Sequence, residues 1–382
     1  MKGKKIITGV CLFSLISSMS ITTFAAVKAL NKNMDLEDIQ EFSEKNTYSY
    51  KIYKYEKENI KINAESIEEE FEYYKKLVEN TRESDSKYAE YKLKFIELEK
   101  DHDICKMETK YYDKEKETAD KKILDLELKS KYYELCILNN QIYIQRANIN
   151  YLKKYAEIEA VKLESGQSTE IDHRFALINL EIAKNELSAA KESVQSKTKE
   201  ISDLINQYKD TENFSVKCNL PQKPDYNKFD AEQLYKNFSD NNLELKKQRR
   251  SMKYDKDHLR FIEELYGKEN DTYKTYHNAY EINTLNNEIQ ENNYKTKINE
   301  LVLSYEQSFN EYNSYIKYNS VLKDKLDILK TAFETGNISE LEYLRNYAEL
   351  SAEMYKADSV LVQIDLIYDK LCMIEEGYDI FI

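Results

Sequence analysis

The stretch DHDIC (residues 101–105) sets a histidine and a cysteine, His102 and Cys105, three positions apart beside Asp101 and Asp103. On a helix that spacing puts an imidazole and a thiol on one face, which is half of a zinc site. The other half is missing. His173, His258 and His277 are scattered, with no H-x-x-x-H and no second His/Cys pair. The favoured reading of His102 and Cys105 is therefore packing on a helix seam. Cys136, Cys218 and Cys372 are widely spaced and form no C-x-x-C, so they read as isolated thiols. One long-range bridge stays open, with its partners undetermined. There is no Gly-rich phosphate loop, no pair of carboxylates in a pocket-forming context and no nucleophile elbow. The chain reads as a non-enzyme, with no cofactor and no metal.

The second chemically suggestive pattern surrounds a scarce residue. Of 6 glycines, Gly3 and Gly9 fall in the first nine residues, and two of the other four sit in near-copies of one phrase. These are LESGQSTEID around Gly166 and FETGNISELE around Gly336. Glycine reaches positive φ without a Cβ penalty and so ends helices at the C′ position. Ser339 followed by Glu342 reads as a capping box, the hydroxyl accepting from the Glu342 N–H and the carboxylate reaching back. Ser168, Thr169 and Asp172 repeat the arrangement with a shorter acid. A glycine stop, a short loop and a new cap specify the tip of an αα-hairpin. Asp172 and Glu342 read as solvated capping acids, and Arg345 as an exposed i,i+3 partner of Glu342.

What must position these tips is a set of long helices. Residues 1–25 read as an export signal: a basic start, an apolar run from Ile6 to Ile21, then Thr23-Phe24-Ala25. Net charge is −13, or −16 without Lys2, Lys4 and Lys5, which disfavours nucleic acid and anionic lipid as partners. Charged residues make up 33% of the chain, yet Pro and Gly are nearly absent and apolar residues recur at helical spacing. Tyr88, Tyr91, Phe95, Leu98, His102 and Cys105 alternate steps of three and four, as do Leu135, Leu138, Ile142, Gln145, Ile149, Leu152 and Ala156. Such seams bury one helix face on another. The 33 tyrosines suit wide seams, with adjacent pairs such as Tyr73-Tyr74, Tyr111-Tyr112 and Tyr132-Tyr133 placing one ring on the seam and one off it.

Five polar breaks divide the chain: residues 79–87, 165–169, 219–227 (with Pro221 and Pro224), 266–271 and 335–339. The resulting helices fall in one order twice. A helix of moderate length (35–80, then 229–266) precedes a very long one (87–164, then 272–334) and a shorter one (170–208, then 339–376). The expected fold is all-α: an elongated antiparallel helical-hairpin bundle, or coiled coil, built from two tandem repeats. Residues 26–218 form the first repeat, 219–228 a Pro-containing linker and 229–382 the second. The two shorter helices of each half would stack end to end along the long one.

On the tip phrases, ESGQSTEIDHRFALINLEIAKNEL (164–187) and FETGNISELEYLRNYAELSAEMYKA (333–357), and on the two repeat starts (35–65 and 230–259), the sequence resembles the TolC-like outer membrane efflux proteins. That resemblance implies a homotrimeric hollow helical tube. Gly166, Ser168, Thr169, Asp172, Gly336, Ser339, Glu342 and Arg345 would lie at its narrow entrance. The tips would dock on a periplasmic-type adaptor (membrane fusion protein), which in turn serves an ABC, RND or MFS pump. A second entrance acid found in some members falls on Phe175 and Arg345, so that charged gate is not expected. The family also places two strands between the first two helices of each half, building a membrane barrel. Residues 79–87 and 266–271 are too short and polar for a span of ~9–11 alternating residues, so the β-barrel strands look absent. The expectation is an exported, barrel-less efflux component of the cell envelope or cell surface. Two rivals stand beside it: a structural coiled coil of the cell surface, and a wall-binding protein using its tyrosine-rich faces.

Overall fold

The computed structural model describes residues 33–46, 48–205, 215–222, 225 and 227–381. The expected export signal and Pro224 lie outside the described residues. The chain is an elongated antiparallel bundle of long helices. Its order is β1 (Asn33–Met34), α1 (Leu36–Asn46), α2 (Tyr48–Asn80), α3 (Tyr88–Lys114), α4 (Lys116–Glu164), α5 (Glu170–Leu204) and β2 (Ser215–Val216). Then follow α6 (Ala231–Asn241), α7 (Leu243–Tyr266), α8 (Asp271–Glu334), α9 (Glu340–Met354) and α10 (Lys356–Glu375). At ~1.5 Å per residue, α3 with α4 and α8 alone are each rods on the order of 100 Å long.

Shorter helices stack along these rods. α2 and α5 lie end to end on α3–α4, and α7, α6, α10 and α9 run along α8. Polar contacts fix the antiparallel register. Between α3 and α7, Lys100 Nζ meets Asp255 at 3.1 Å, the Tyr254 hydroxyl donates to Asp103 at 2.6 Å and Lys247 Nζ meets Glu108 at 2.5 Å. Between α4 and the last two helices, Asn140 donates to Asp358 at 2.9 Å, Tyr133 to Asp365 at 2.7 Å, and Lys154 meets Glu340 at 2.5 Å. Each step forward on α4 is thus a step back on α9 and α10. The four-rod layer has α2 and α5 at one edge and α8 at the other, since among the described residues α2 and α5 pack mainly on α3 and α4.

The long helices are not continuous as the apolar rhythm predicts. α3 ends and α4 begins at Glu115 (φ −122), α6 and α7 meet at Asn242 (φ −63, ψ 127), and α9 and α10 meet at Tyr355. The breaks at Glu115 and Asn242 gather at one level, a waist where the chain's end returns. Tyr111, Glu115, Asn241, Asn242, Gly377 and Tyr378 line a common cleft there. The buried Asn242 makes its break possible. Its side chain caps α7 by accepting from Leu245 N–H at 3.1 Å and donates to Gly377 C=O at 3.1 Å.

Next to the waist sits a two-residue parallel pair that no strand pattern in the sequence announces, Asn33 beside Ser215 and Met34 beside Val216. The two largest apolar clusters lie in this middle region. One joins Leu234, Phe238, Ile298, Tyr305, Ile364 and Leu371; the other joins Met34, Ile39, Leu128, Tyr132, Cys136 and Ile201. Tyr132 and Tyr133 are both buried, against the expectation of one ring in and one out. The reason is that α4 is covered on two sides here, by the β2 segment and by α10. The Tyr132 hydroxyl meets Lys217 C=O, and the Tyr133 hydroxyl meets Asp365.

At the end away from the tips, α2 and α3 are joined through residues 81–87, and α7 and α8 through Gly267–Asn270. Both are short turns without strands. Among the described residues there is no closed barrel, and no helix is long and apolar enough to cross a membrane.

Candidate functional site: the paired hairpin tips

The two glycine turns close with the same backbone hydrogen bonds. Gly166 (φ 71) follows α4 and Gly336 (φ 73) follows α8. Gly166 N–H donates to Leu163 C=O at 3.0 Å and Gln167 N–H to Lys162 C=O at 2.7 Å; Gly336 donates to Phe333 at 2.9 Å and Asn337 to Ala332 at 2.8 Å. These are the two bonds of a Schellman stop, which satisfies carbonyls that the helix end would otherwise leave open. Ser168 and Ile338 then add a second bond to the same carbonyls, at 3.2 and 3.3 Å. Sequence periodicity and the rarity of glycine were sufficient to locate both turns.

The restarts differ in one respect. Thr169 Oγ1 accepts from Asp172 N–H at 3.1 Å, and Asp172 accepts in return from Thr169 N–H at 3.3 Å and from its hydroxyl at 2.6 Å. This box is closed. At the second tip Ser339 Oγ accepts from Glu342 N–H at 3.2 Å, but among the described residues the Glu342 carboxylate returns no bond. Glu342 carries one more side-chain rotor than Asp172, so closing the box costs it more order. Arg345 also departs from expectation: it stands 4.0 Å from Glu349, one turn on, rather than beside Glu342.

The first tip holds one polar link that the sequence did not suggest. Glu159, buried near the end of α4, accepts from the Ser168 hydroxyl at 2.7 Å and from Lys162 Nζ at 2.7 Å. Lys162 first and Ser168 second hold its carboxyl below the usual range. Ser168 thereby ties the loop back to its own helix. Asp172, Glu342, Arg345 and Phe175 are exposed, Phe175 by 61%. The link between Lys154 and Glu340 places the start of α9 close to the end of α4, so both tips stand at one end of the molecule, within a few helical turns of each other.

His102 and Cys105 come together on the seam between α2 and α3. His102 stacks on Phe71 with ring centroids 4.3 Å apart and bonds Glu68, while Cys105 accepts from the Asn63 amide at 3.3 Å. No group of three or more metal-capable side chains occurs among the described residues.

The helical bundle has a TolC-like fold. This fold is shared with the outer membrane protein VceC of Vibrio cholerae (TM-score 0.56, 10% identity, covering 90% of this chain and 96% of that one). A membrane protein from Pseudomonas aeruginosa matches at TM-score 0.55 and 9% identity, over 89% of this chain and 92% of the other. The open state of the MtrE outer membrane channel of Neisseria gonorrhoeae matches at TM-score 0.51 and 10% identity, over 94% of each chain. No protein-family model and no curated protein sequence matches the chain. The likeness is one of fold.

Proposed function

We propose that this protein is an exported, barrel-less efflux component. Three copies close into a helical tube outside the cytoplasmic membrane, and the six hairpin tips dock on an adaptor that serves a transport pump. The observation that carries this reading is a pair of unlike apolar edges on a fold shared with outer membrane channels. On α5, Ile171, Phe175, Ile178 and Ile182 follow a 4-3-4 rhythm and are all at least half exposed. On α8, at the opposite edge, Val321 and Ile328 are exposed by 61% and 69% on the tip side of the waist, and Ile282, Leu285 and Ile289 by more than half beyond it. An apolar seam at helical spacing is built to pack on another helix. Two different edges that complement each other form a head-to-tail contact, which closes into a ring when the rotation allows. The number three comes from the resemblance, as do the adaptor and the ABC, RND or MFS class of pump.

The tube would work by geometry. Its tips set the width of the entrance and present the adaptor with two near-identical turns per copy. Gly166, Ser168, Thr169 and Asp172 form one turn, and Gly336, Ser339, Glu342 and Arg345 the other.

Light scattering and chemical crosslinking of the purified chain at micromolar concentration test the assembly. A trimer is expected, and a monomer would overturn it. Pairing Ile178→Cys with Val321→Cys should then yield crosslinks between chains and none within one. Deleting residues 165–169 tests the tips. It should abolish adaptor capture while leaving the trimer intact, whereas unchanged capture favours a structural surface protein. Retention on purified cell wall would favour the wall-binding rival instead.

A further inference from the structure

The middle region of the bundle contains two thiols that the sequence spacing kept apart as isolated residues. Cys136 lies one helical turn beyond Tyr132 on α4, so both side chains leave the same face. The Tyr132 hydroxyl is held by both neighbours of Cys218. It donates to Lys217 C=O at 2.7 Å and accepts from Asn219 N–H at 2.7 Å. Lys217 N–H in turn donates to Met34 C=O at 2.8 Å, continuing the β1–β2 ladder. With the backbone pinned on either side, Cys218 is delivered onto α4 beside Cys136. Asn139, three residues on, donates its amide to Cys218 Sγ at 3.1 Å. Cys136 and Cys218 pack in one apolar cluster with Tyr132.

We propose that Cys136 and Cys218 are a disulfide-forming pair that locks the segment joining the two halves of the chain onto the long helix α4. Both residues are free thiols in this structure. The oxidant is an incoming disulfide, small-molecule or protein-borne. Cys218 is the attacking residue: it is partly exposed, whereas Cys136 is 2% exposed. Donation from Cys136 first, and from Asn139, also holds the Cys218 thiol below its ordinary pKa despite burial, while Cys136 is pushed up by the same contact and by burial. The Cys218 thiolate attacks one sulfur of the incoming disulfide, forming a mixed disulfide and expelling one thiolate. Cys136 then loses its proton and attacks Cys218 Sγ, expelling the second. Two protein thiols are oxidised and one disulfide is reduced to two thiols. Cys105 and Cys372 take no part, since their polar neighbours are Asn63 and Tyr368.

The bridge would fasten a joint used by both halves. Val216, Cys218 and Leu220 pack in one cluster with Tyr132 and Cys136 of α4 and Val362 of α10. It is independent of the oligomeric reading, because every residue comes from one chain.

The test equilibrates the full chain with oxidised or reduced glutathione, quenches in acid, alkylates under denaturing conditions and maps the peptides without reduction. In oxidised buffer the peptides carrying Cys136 and Cys218 should be recovered joined, with those of Cys105 and Cys372 alkylated singly. Alkylation of Cys136 and Cys218, or their joining to other cysteines, overturns the proposal. Cys136→Ser should accumulate glutathione on Cys218, whereas Cys218→Ser should leave Cys136 unmodified. The reverse pattern overturns the assigned order of attack. The oxidised wild type should melt several degrees above the reduced form, and equal midpoints overturn the locking role.

Discussion

A β-carbon added to Gly166 or Gly336 would meet nothing within 4 Å, whereas one added to Gly377 would lie 2.5 Å from Asn241 Cβ and 2.9 Å from Asn242 N. All three glycines follow a helix end at positive φ. At the tips the requirement is conformational and local: a helix must stop, and only the backbone of that turn is involved. At the waist the requirement is also steric and long-range, because α10 ends against the break between α6 and α7. The tips are thus turns on an exposed end, free to change without disturbing the bundle. The waist is where the fold is decided.

The sharpest way to break this contrast is Gly377→Ala. Strain at positive φ adds ~1–2 kcal/mol, and overpacking against fixed backbone adds ~1–3 kcal/mol. The expected loss of stability is about 4 kcal/mol by denaturant unfolding, and a loss near that of Gly166→Ala would erase the distinction.

Lys129→Met should come next. Lys129 Nζ bridges Asp365 at 2.7 Å and Asp369 at 2.5 Å between α4 and α10. Burial works against the Lys129 charge, but the two carboxylates outweigh it and raise its pKa. In the wild type the contribution of the lysine is therefore kept through neutral pH and lost only as pH rises through that raised value. Removing it leaves two half-buried carboxylates without their cation, on the order of 3 kcal/mol. Burial raises the Asp369 pKa even with Lys129 present. The folded variant therefore binds protons more readily than the unfolded chain, and its stability should rise as pH falls from about 7 towards 4. A melting temperature of the variant that falls monotonically with acid would contradict this.

Tyr132→Phe should cost about 2 kcal/mol, since it strands Lys217 C=O and Asn219 N–H beside a buried ring. Hydrogen exchange should show residues 215–220 opening while the tips stay as protected as before. An unchanged segment would mean that the strand pair alone holds the crossover.

The same contrast explains what could be read from the residues alone. Tips are local: Gly at C′ and a Thr or Ser cap three residues before an acid lie within ten positions of one another. Helix existence was equally plain, because a three-four rhythm is periodic along a single rod. The waist is not local. Asn242 offers a local N-cap at the end of the polar run Ser239–Asn242, but the break also depends on Gly377, 135 residues later. Met34 and Val216 are too short a run to carry a strand pattern. Tyr132 and Tyr133 follow the alternation expected of a half-covered helix, and only the return of the β2 segment covers the second side. The Arg345 pairing fails for a smaller reason. Glu342 and Glu349 lie three and four residues away on one exposed helix face, and spacing does not choose between them.

The smallest effects belong to the tips, and they separate the two tips from each other. Thr169→Ala removes the cap of α5 and opens a reciprocal box in which Asp172 holds both the Thr169 N–H and its hydroxyl. Ser339→Ala removes a single bond, to Glu342 N–H. Loss of an N-cap costs typically ~1 kcal/mol, so Thr169→Ala should approach that figure and Ser339→Ala should fall below it. Gly166→Ala and Gly336→Ala should each cost about 1 kcal/mol, from backbone strain alone. Neither cap variant should shift the melting temperature by more than a few degrees, because each helix is held by its packed face rather than by its first turn. If adaptor capture nevertheless drops on loss of either cap, the tips act through their shape. If the Thr169 variant alone loses capture, the closed box is the half of the pair that the partner reads.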